Sequence, residues 1–136
     1  MRVRAAFPED APFMAAILSD WIDATPWMPR IHTRDEDAAF CASLVPDAWV
    51  TEAGFLALRE KDIPALYVAR AARRQGRGRD LLDYAKSLSP ALSLWTFEAN
   101  VPARAFYAAQ GFEEIGRTDG DNDEGLPDIR LEWRRA

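Results

Sequence analysis

The sequence predicts an α/β (α+β) domain, with helices packed on one mixed sheet. Alternating apolar runs and apolar runs at helical spacing succeed one another along the chain in the order βααβββαβαββ. Residues 63–97 form a strand–helix–strand unit, which is expected to close as a right-handed parallel crossover. At 136 residues, 49% apolar and 29% charged, the chain is sized and composed like one globular domain spanning 1–136, with a single core.

The elements follow in order. A short strand over 3–7 stops at Pro8-Glu9-Asp10, which also starts a helix. Phe13, Ala16, Ile17, Asp20 and Trp21 recur at helical spacing and predict an amphipathic helix over 10–23. Thr25-Pro26-Trp27-Met28-Pro29 is a proline-broken loop with large apolar side chains. Thr33 followed by Glu36 is a capping box for a second helix, which runs to Leu44 before Pro46 ends it. Strands over 48–51 and 54–59 join at a tight turn near Ala53-Gly54, and Lys61-Asp62 turns into the strand 63–69. A helix over 78–88 leads past Pro90 to the strand 92–97. Asn100 opens the last helix, with Ala103, Phe106, Tyr107 and Gln110 along it and Gly111 at its C-terminal end. Strands over 112–118 and 129–133 flank an acidic loop, 119–127. There is no internal repeat.

Composition removes several function classes. One cysteine, Cys41, excludes an internal disulfide, and one histidine, His32, argues against a histidine-cluster metal site; no metal is expected. No apolar run approaches the length that crosses a bilayer, and no signal-peptide core precedes Pro8. The expected compartment is the cytoplasm, with no membrane partner. The formal net charge of −5 disfavours nucleic acid as a partner.

Against that acidic background, residues 70–79 hold five of the fifteen arginines and no acid. The segment lies between a strand and a helix, the arrangement that turns backbone N–H groups toward an anion, and arginine suits phosphate. Two nucleotide motifs fail here. A dinucleotide fingerprint needs a third glycine where Leu81 stands, and a P-loop needs Gly-Lys-Ser/Thr where the chain has Gly78-Arg79-Asp80. What remains is Arg73-x-x-Gly76-x-Gly78. Taken alone, it is equally an exposed arginine-rich loop.

The second half adds context. Leu94-Trp95-Thr96-Phe97-Glu98-Ala99-Asn100-x-x-Ala103-x-x-Phe106-Tyr107-x-x-x-Gly111-Phe112 resembles a conserved block of the GNAT superfamily of acetyl-CoA-dependent N-acetyltransferases. Leu66-Tyr67-Val68 through Arg73-x-x-Gly76-x-Gly78-x-x-Leu81-Leu82 is similar to the family's pyrophosphate-binding motif. The two blocks cover 62–112 in matching order and spacing. Many relatives carry proline where this chain has Arg70. The resemblance implies a mostly antiparallel sheet of six to seven strands flanked by about four helices, and acetyl transfer to a primary amine by direct attack in a ternary complex.

The resemblance also assigns roles. Leu66, Tyr67 and Val68 would pair through their backbone with the pantetheine arm. The N–H groups of Arg74, Gln75, Gly76, Arg77 and Gly78 would cradle the pyrophosphate, with Arg73, Arg77 and Arg79 as candidate phosphate ligands. Asn100 would bond the cofactor arm or simply cap its helix, with Ala103 and Phe106 beside it. Tyr107 is the candidate general acid for the thiolate, or a core aromatic as Phe106 is. Asp62 is the candidate base acting through water, or a turn residue. Trp27 and His32 lie in the loop that lines the acceptor pocket in this family, and both also fit structural roles. A small-molecule or peptide amine is the expected acceptor. Dimerisation through the C-terminal strands, frequent in relatives, is compatible with this chain. A noncatalytic acyl-CoA-binding module of the same fold is the competing reading.

Overall fold

The computed structural model describes residues 3–72 and 76–136. Seven strands form one sheet: β1 (Arg4–Ala5), β2 (Ala48–Val50), β3 (Gly54–Arg59), β4 (Asp62–Val68), β5 (Ala91–Phe97), β6 (Glu113–Thr118) and β7 (Asp128–Arg134). Their order across the sheet is β1-β2-β3-β4-β5-β7-β6, and every neighbouring pair is antiparallel except β4–β5. Among the described residues four α-helices pack on it: α1 (Ala11–Ala24), α2 (Arg34–Leu44), α3 (Arg77–Leu88) and α4 (Val101–Ala109). The mixed, mostly antiparallel architecture expected from the sequence is the one observed. Among the described residues no helix is long and apolar enough to cross a membrane.

The sheet is covered on both faces, by different helix pairs. Met14, Ile17 and Leu18 of α1 and Cys41 and Leu44 of α2 pack on Val50, Phe55, Ala57 and Ala65. Leu81, Leu82 and Ala85 of α3 and Tyr107 of α4 pack on Leu56, Leu58, Leu92, Leu94, Ile129 and Leu131. Strand alternation explains the split, since successive residues of β3 serve opposite faces. The α1 stripe lies about one position from the predicted one. Phe13 and Ala16 are exposed, whereas Met14, Ala15 and Ser19 are buried. A polar device accounts for buried Ser19. Its hydroxyl donates to Asp37 of α2 at 2.6 Å, and Arg30 donates to the same carboxylate at 2.9 Å. This fixes the α1–α2 loop against both helices.

Helix ends follow the predicted chemistry. Thr33 and Glu36 form the capping box of α2. Gly111, at φ 93°, ends α4, and Phe112 N–H reaches Tyr107 C=O at 3.0 Å while Gly111 N–H reaches Ala108 C=O at 3.1 Å. That pair of bonds is a Schellman motif.

Two irregularities prepare the site. Ala57 pairs with Ala65 but Arg59 with Asp62, so β4 carries one extra residue in a bulge around Pro64, which has no N–H to donate. The bulge resets the alternation of β4. Ala65, Tyr67 and Ala69 face α1 and α2, while Leu66 and Val68 face α3 and α4. Second, among the described residues β4 and β5 share a single registered pair, Asp62 with Ser93. Beyond it the parallel strands part, leaving a fork.

Candidate active site

The fork follows from the hydrogen-bond ladder. Ala69 N–H donates to Ala53 C=O at 2.7 Å, and the two-residue alternation therefore turns the backbone groups of Tyr67 and Ala69 toward β3. The N–H and C=O groups of Leu66 and Val68 point the other way, to the side where β5 has left the ladder. A strand whose polar backbone edge faces a gap can accept an extended amide chain as a substitute neighbour.

The turn after β4 stands at the open end of the fork. It includes a 3₁₀ turn over Arg70–Ala72, and Gly76, at φ 80°, precedes the first residue of α3. The left-handed conformation is one that glycine adopts without steric cost. A Cβ at Gly78 would lie 3.5 Å from the Phe106 ring and 3.7 Å from Val68, so the start of α3 is seated directly on α4 and β4. Gly54 fits more tightly, since a Cβ there would meet Tyr67 C=O at 2.7 Å. The N-terminus of α3 is thus held at the fork, with its positive dipole end directed at whatever enters. Arg77 is drawn toward Glu52, 2.9 Å away, and Arg79 lies 3.8 Å from Asp83. Arg73, Arg74 and Gln75 lie outside the described residues.

The opposite wall belongs to β5 and α4. Asn100 is the N-cap, its Oδ1 accepting from Ala103 N–H at 3.2 Å. Tyr107 is buried between Phe106 and Phe112, with edge-on ring contacts at 5.2 and 5.4 Å. Its hydroxyl has no hydrogen-bond partner among the described residues. Burial pushes the phenol well above its ordinary value, and the neighbouring Tyr67 adds to the shift. Tyr67 itself is raised to about 12, chiefly by burial, with smaller effects from Cys41, Glu124 and Asp37. Both phenols therefore stay protonated at neutral pH.

An aromatic chain lines the mouth on the α1 side. Tyr67 packs on Trp21 at 5.5 Å, Trp21 on Trp27 at 5.9 Å, and Trp27 on Phe97 at the end of β5 at 5.8 Å. Beside it, a cleft of about 580 Å³ is lined by Ile17, Asp20, Trp21, Asp23, Ala69 and Arg70. His32 is exposed, 3.5 Å from Glu36 and 4.0 Å from Asp123 of the acidic loop. That loop is ordered by Asn122, whose side-chain amide donates to Leu126 C=O at 2.7 Å and to Asp128 at 3.1 Å. The α1–α2 loop and the acidic loop thus face each other across the mouth.

Asp62 lies at the other end of β4. Ser93 Oγ donates to its Oδ1 at 2.6 Å and Arg130 Nη2 at 2.7 Å. The Ser93 hydrogen bond, and then the Arg130 guanidinium, hold this carboxyl below the usual carboxylate range. The structure thus brings Leu66, Tyr67, Val68, Gly78, Phe106 and Tyr107 together around the fork and places Asp62 at its closed end. Sequence reasoning missed Gly54, Trp21, Phe97, Ser93 and Arg130. Only Gly54 left a signal, a glycine placed to begin a strand.

This geometry is that of an acyltransferase that opens its sheet to hold a thioester donor. The Acetyltransferase (GNAT) domain family matches residues 39–114. The chain belongs to this family and is an acetyl-CoA-dependent N-acetyltransferase. It is 31% identical to "Peptidyl-lysine N-acetyltransferase YiaC" of Escherichia coli K12, over 88% of this chain and 90% of that one. "Peptidyl-lysine N-acetyltransferase YjaB" of Salmonella typhimurium is 30% identical over 93% and 92%. The solution structure of apo-form YjaB from Escherichia coli superposes with a TM-score of 0.81 at 28% identity, covering 99% of this chain and 98% of that one.

Proposed function

We propose that residues 1–136 form one catalytic domain that moves the acetyl group of acetyl-CoA to the ε-amine of a peptidyl lysine, with Tyr107 as general acid. The observation that carries the assignment of the acid is a protonated phenol on the α4 wall of the fork, its ring buried between Phe106 and Phe112. In this reading the pantetheine arm replaces β5 as the neighbour of β4, bonded by backbone groups of Leu66 and Val68, whereas those of Tyr67, expected from the sequence to join them, pair with β3 instead. The diphosphate rests at the start of α3, where residues 76–79 supply N–H groups and the arginines Arg77 and Arg79. Asn100, Ala103 and Phe106 support the arm from α4.

The amine nitrogen bonds to the thioester carbonyl carbon, and N–H groups of β4 that point into the fork stabilise the oxyanion. As the carbon–sulfur bond breaks, the Tyr107 proton passes to sulfur. Burial disfavours a bare thiolate beside Tyr107 as it disfavours a phenolate, so the departing sulfur needs a proton there. The amine proton leaves through water. Asp62 is a poor base for it, because Arg130 and Ser93 favour its ionised form and weaken its hold on a proton.

The named substrate of the relatives supports peptidyl lysine, and so does charge. Asp123 of the 119–127 loop lies 4.0 Å from His32 of the α1–α2 loop, and Asp119, Asp121 and Glu124 add negative charge to the same loop, a setting that suits a cationic side chain. The test is incubation with acetyl-CoA and a matched panel of lysine peptides, free lysine and small amines, read by mass spectrometry and thiol release. Peptide acetylation exceeding that of free lysine at equal concentration supports the assignment. Turnover confined to small amines would remove the peptide acceptor and leave the donor chemistry standing.

A further inference from the structure

The loop between α1 and α2, residues 25–33, carries Pro26 and Pro29, which have no N–H to give to a backbone ladder. Side-chain bonds hold it instead, and they converge on Arg30. Its Nε donates to Asp23 at 2.6 Å, its Nη1 to Asp37 at 2.9 Å and to His32 C=O at 3.0 Å, and its Nη2 to Ser19 C=O at 3.0 Å. One guanidinium thus joins α1, the loop and α2, through a planar fork that an ammonium does not reproduce. The inner end of this hub is buried. Asp37 is 3% exposed and Ser19 2%, and Ser19 Oγ donates to the same carboxylate oxygen that Arg30 reaches. At the outer end Arg34 also donates to Asp23, at 2.6 Å.

What the loop carries gives the hub a consequence for chemistry. Trp27 packs on Trp21 and on Phe97, and Trp21 packs on Tyr67. Tyr67 belongs to β4 and Phe97 to β5, so the two tryptophans bridge these strands on the α1–α2 face, at the end where the parallel pair has parted. The other face of the fork is covered by α3 and α4, which the reading proposed above gives to the donor. The amine then enters from the α1–α2 face, past Trp27. Resting on that reading, we infer that Arg30 is a positioning residue for the acceptor: it fixes Trp27 across the mouth of the fork and so presets the wall against which the amine-bearing side chain binds.

The experiment measures kcat and KM separately for a lysine peptide and for acetyl-CoA in the wild type, Arg30→Ala, Arg30→Lys, Trp27→Ala and the Arg30→Lys/Trp27→Ala double variant. Arg30→Ala is expected to raise the peptide KM by about tenfold, with kcat and the acetyl-CoA KM within about twofold, the pattern of binding lost on one side of a ternary complex. Arg30→Lys should raise it less, because it keeps a charge beside Asp37 and loses only the fork. Since Arg30 acts through Trp27, the double variant should have a peptide KM no higher than Trp27→Ala alone. Arg30→Ala also strands the buried Asp37 carboxylate. If it does not fold, Arg30→Lys and Asp23→Asn, which releases only the exposed end of the hub, carry the test. A peptide KM unchanged in the folded variants overturns the inference, and so does an equal rise in the acetyl-CoA KM, which general loosening would give. A wild type that turns over small amines but no lysine peptide removes the peptide acceptor alone. The same KM comparison is then read on the small amine, so the two failures are distinct.

Discussion

The two ends of the β4–β5 fork are built from opposite materials. The closed end is polar and bonded, with Asp62, Ser93 and Arg130 joined across three strands. The open end is aromatic and glycine-shaped, with Tyr67, Phe106 and Tyr107 around strands that share no registered pair among the described residues. The contrast teaches that a sheet can make a ligand slot by withholding a ladder on one side of a strand, provided something else holds the strands where they meet. Backbone groups on that side of the strand would be a liability on an exposed edge, and here they are turned into the fork.

The largest expected effect is at the open end. Tyr107→Phe should lower kcat by about 100-fold, near 2.7 kcal/mol, while leaving the Kd for coenzyme A within about twofold. Stopped-flow or steady-state thiol release and calorimetry measure the two separately. Equal turnover would remove Tyr107 from the chemistry. Gly54→Ala comes next. Its Cβ would press on the Tyr67 carbonyl at 2.7 Å and push β4 out of place. A loss of about 1–3 kcal/mol in denaturant unfolding is expected, with a raised KM for acetyl-CoA.

Gly111→Ala tests how Tyr107 is held. The new side chain must adopt φ 93° and sit 3.3 Å from Trp133, while Tyr107 supplies the carbonyl of the same cap. The expected loss is about 1–2 kcal/mol, seen as a lower Tm. The smallest effect sharpens the closed end. Asp62 has a folded pKa below its unfolded value, so its contribution is present above the unfolded pKa and is lost as pH falls through the folded one. Asp62→Asn should therefore narrow the gap to wild type in Tm as pH is lowered from 6 to 3, with little change in the pH profile of kcat (window set by the ordinary carboxylate pKa, about 3.9). A kcat profile that loses its acidic limb, the rise from low pH, in the variant would restore Asp62 as the base.

Much of the fold was legible because its signals are local. The capping box at Thr33, the Asn100 cap and the Gly111 terminus need only neighbouring residues, and each stands where the sequence placed it. The helix phase of α1 was less legible. Its buried side includes Ser19, whose partner Asp37 lies on another helix, so an apolar stripe alone could not locate it. Likewise β1 spans only Arg4–Ala5, because its extent depends on pairing with β2. In the site, Tyr107 and the glycine turn came from pattern, whereas Ser93 and Arg130 did not. Nothing near residue 62 in the chain announces an arginine 68 positions away.

By itself, then, the sequence determined the order of elements and the family to which the two motif blocks belong. These rest on spacing and backbone preference, which act over a few residues. The tertiary structure alone decided that β4 and β5 share one registered pair among the described residues, that Tyr67 and Tyr107 lie near the resulting gap, and that Asp62 is bonded to Ser93 and Arg130. Those facts depend on which distant groups are brought within hydrogen-bonding range and removed from water, and no local pattern encodes either.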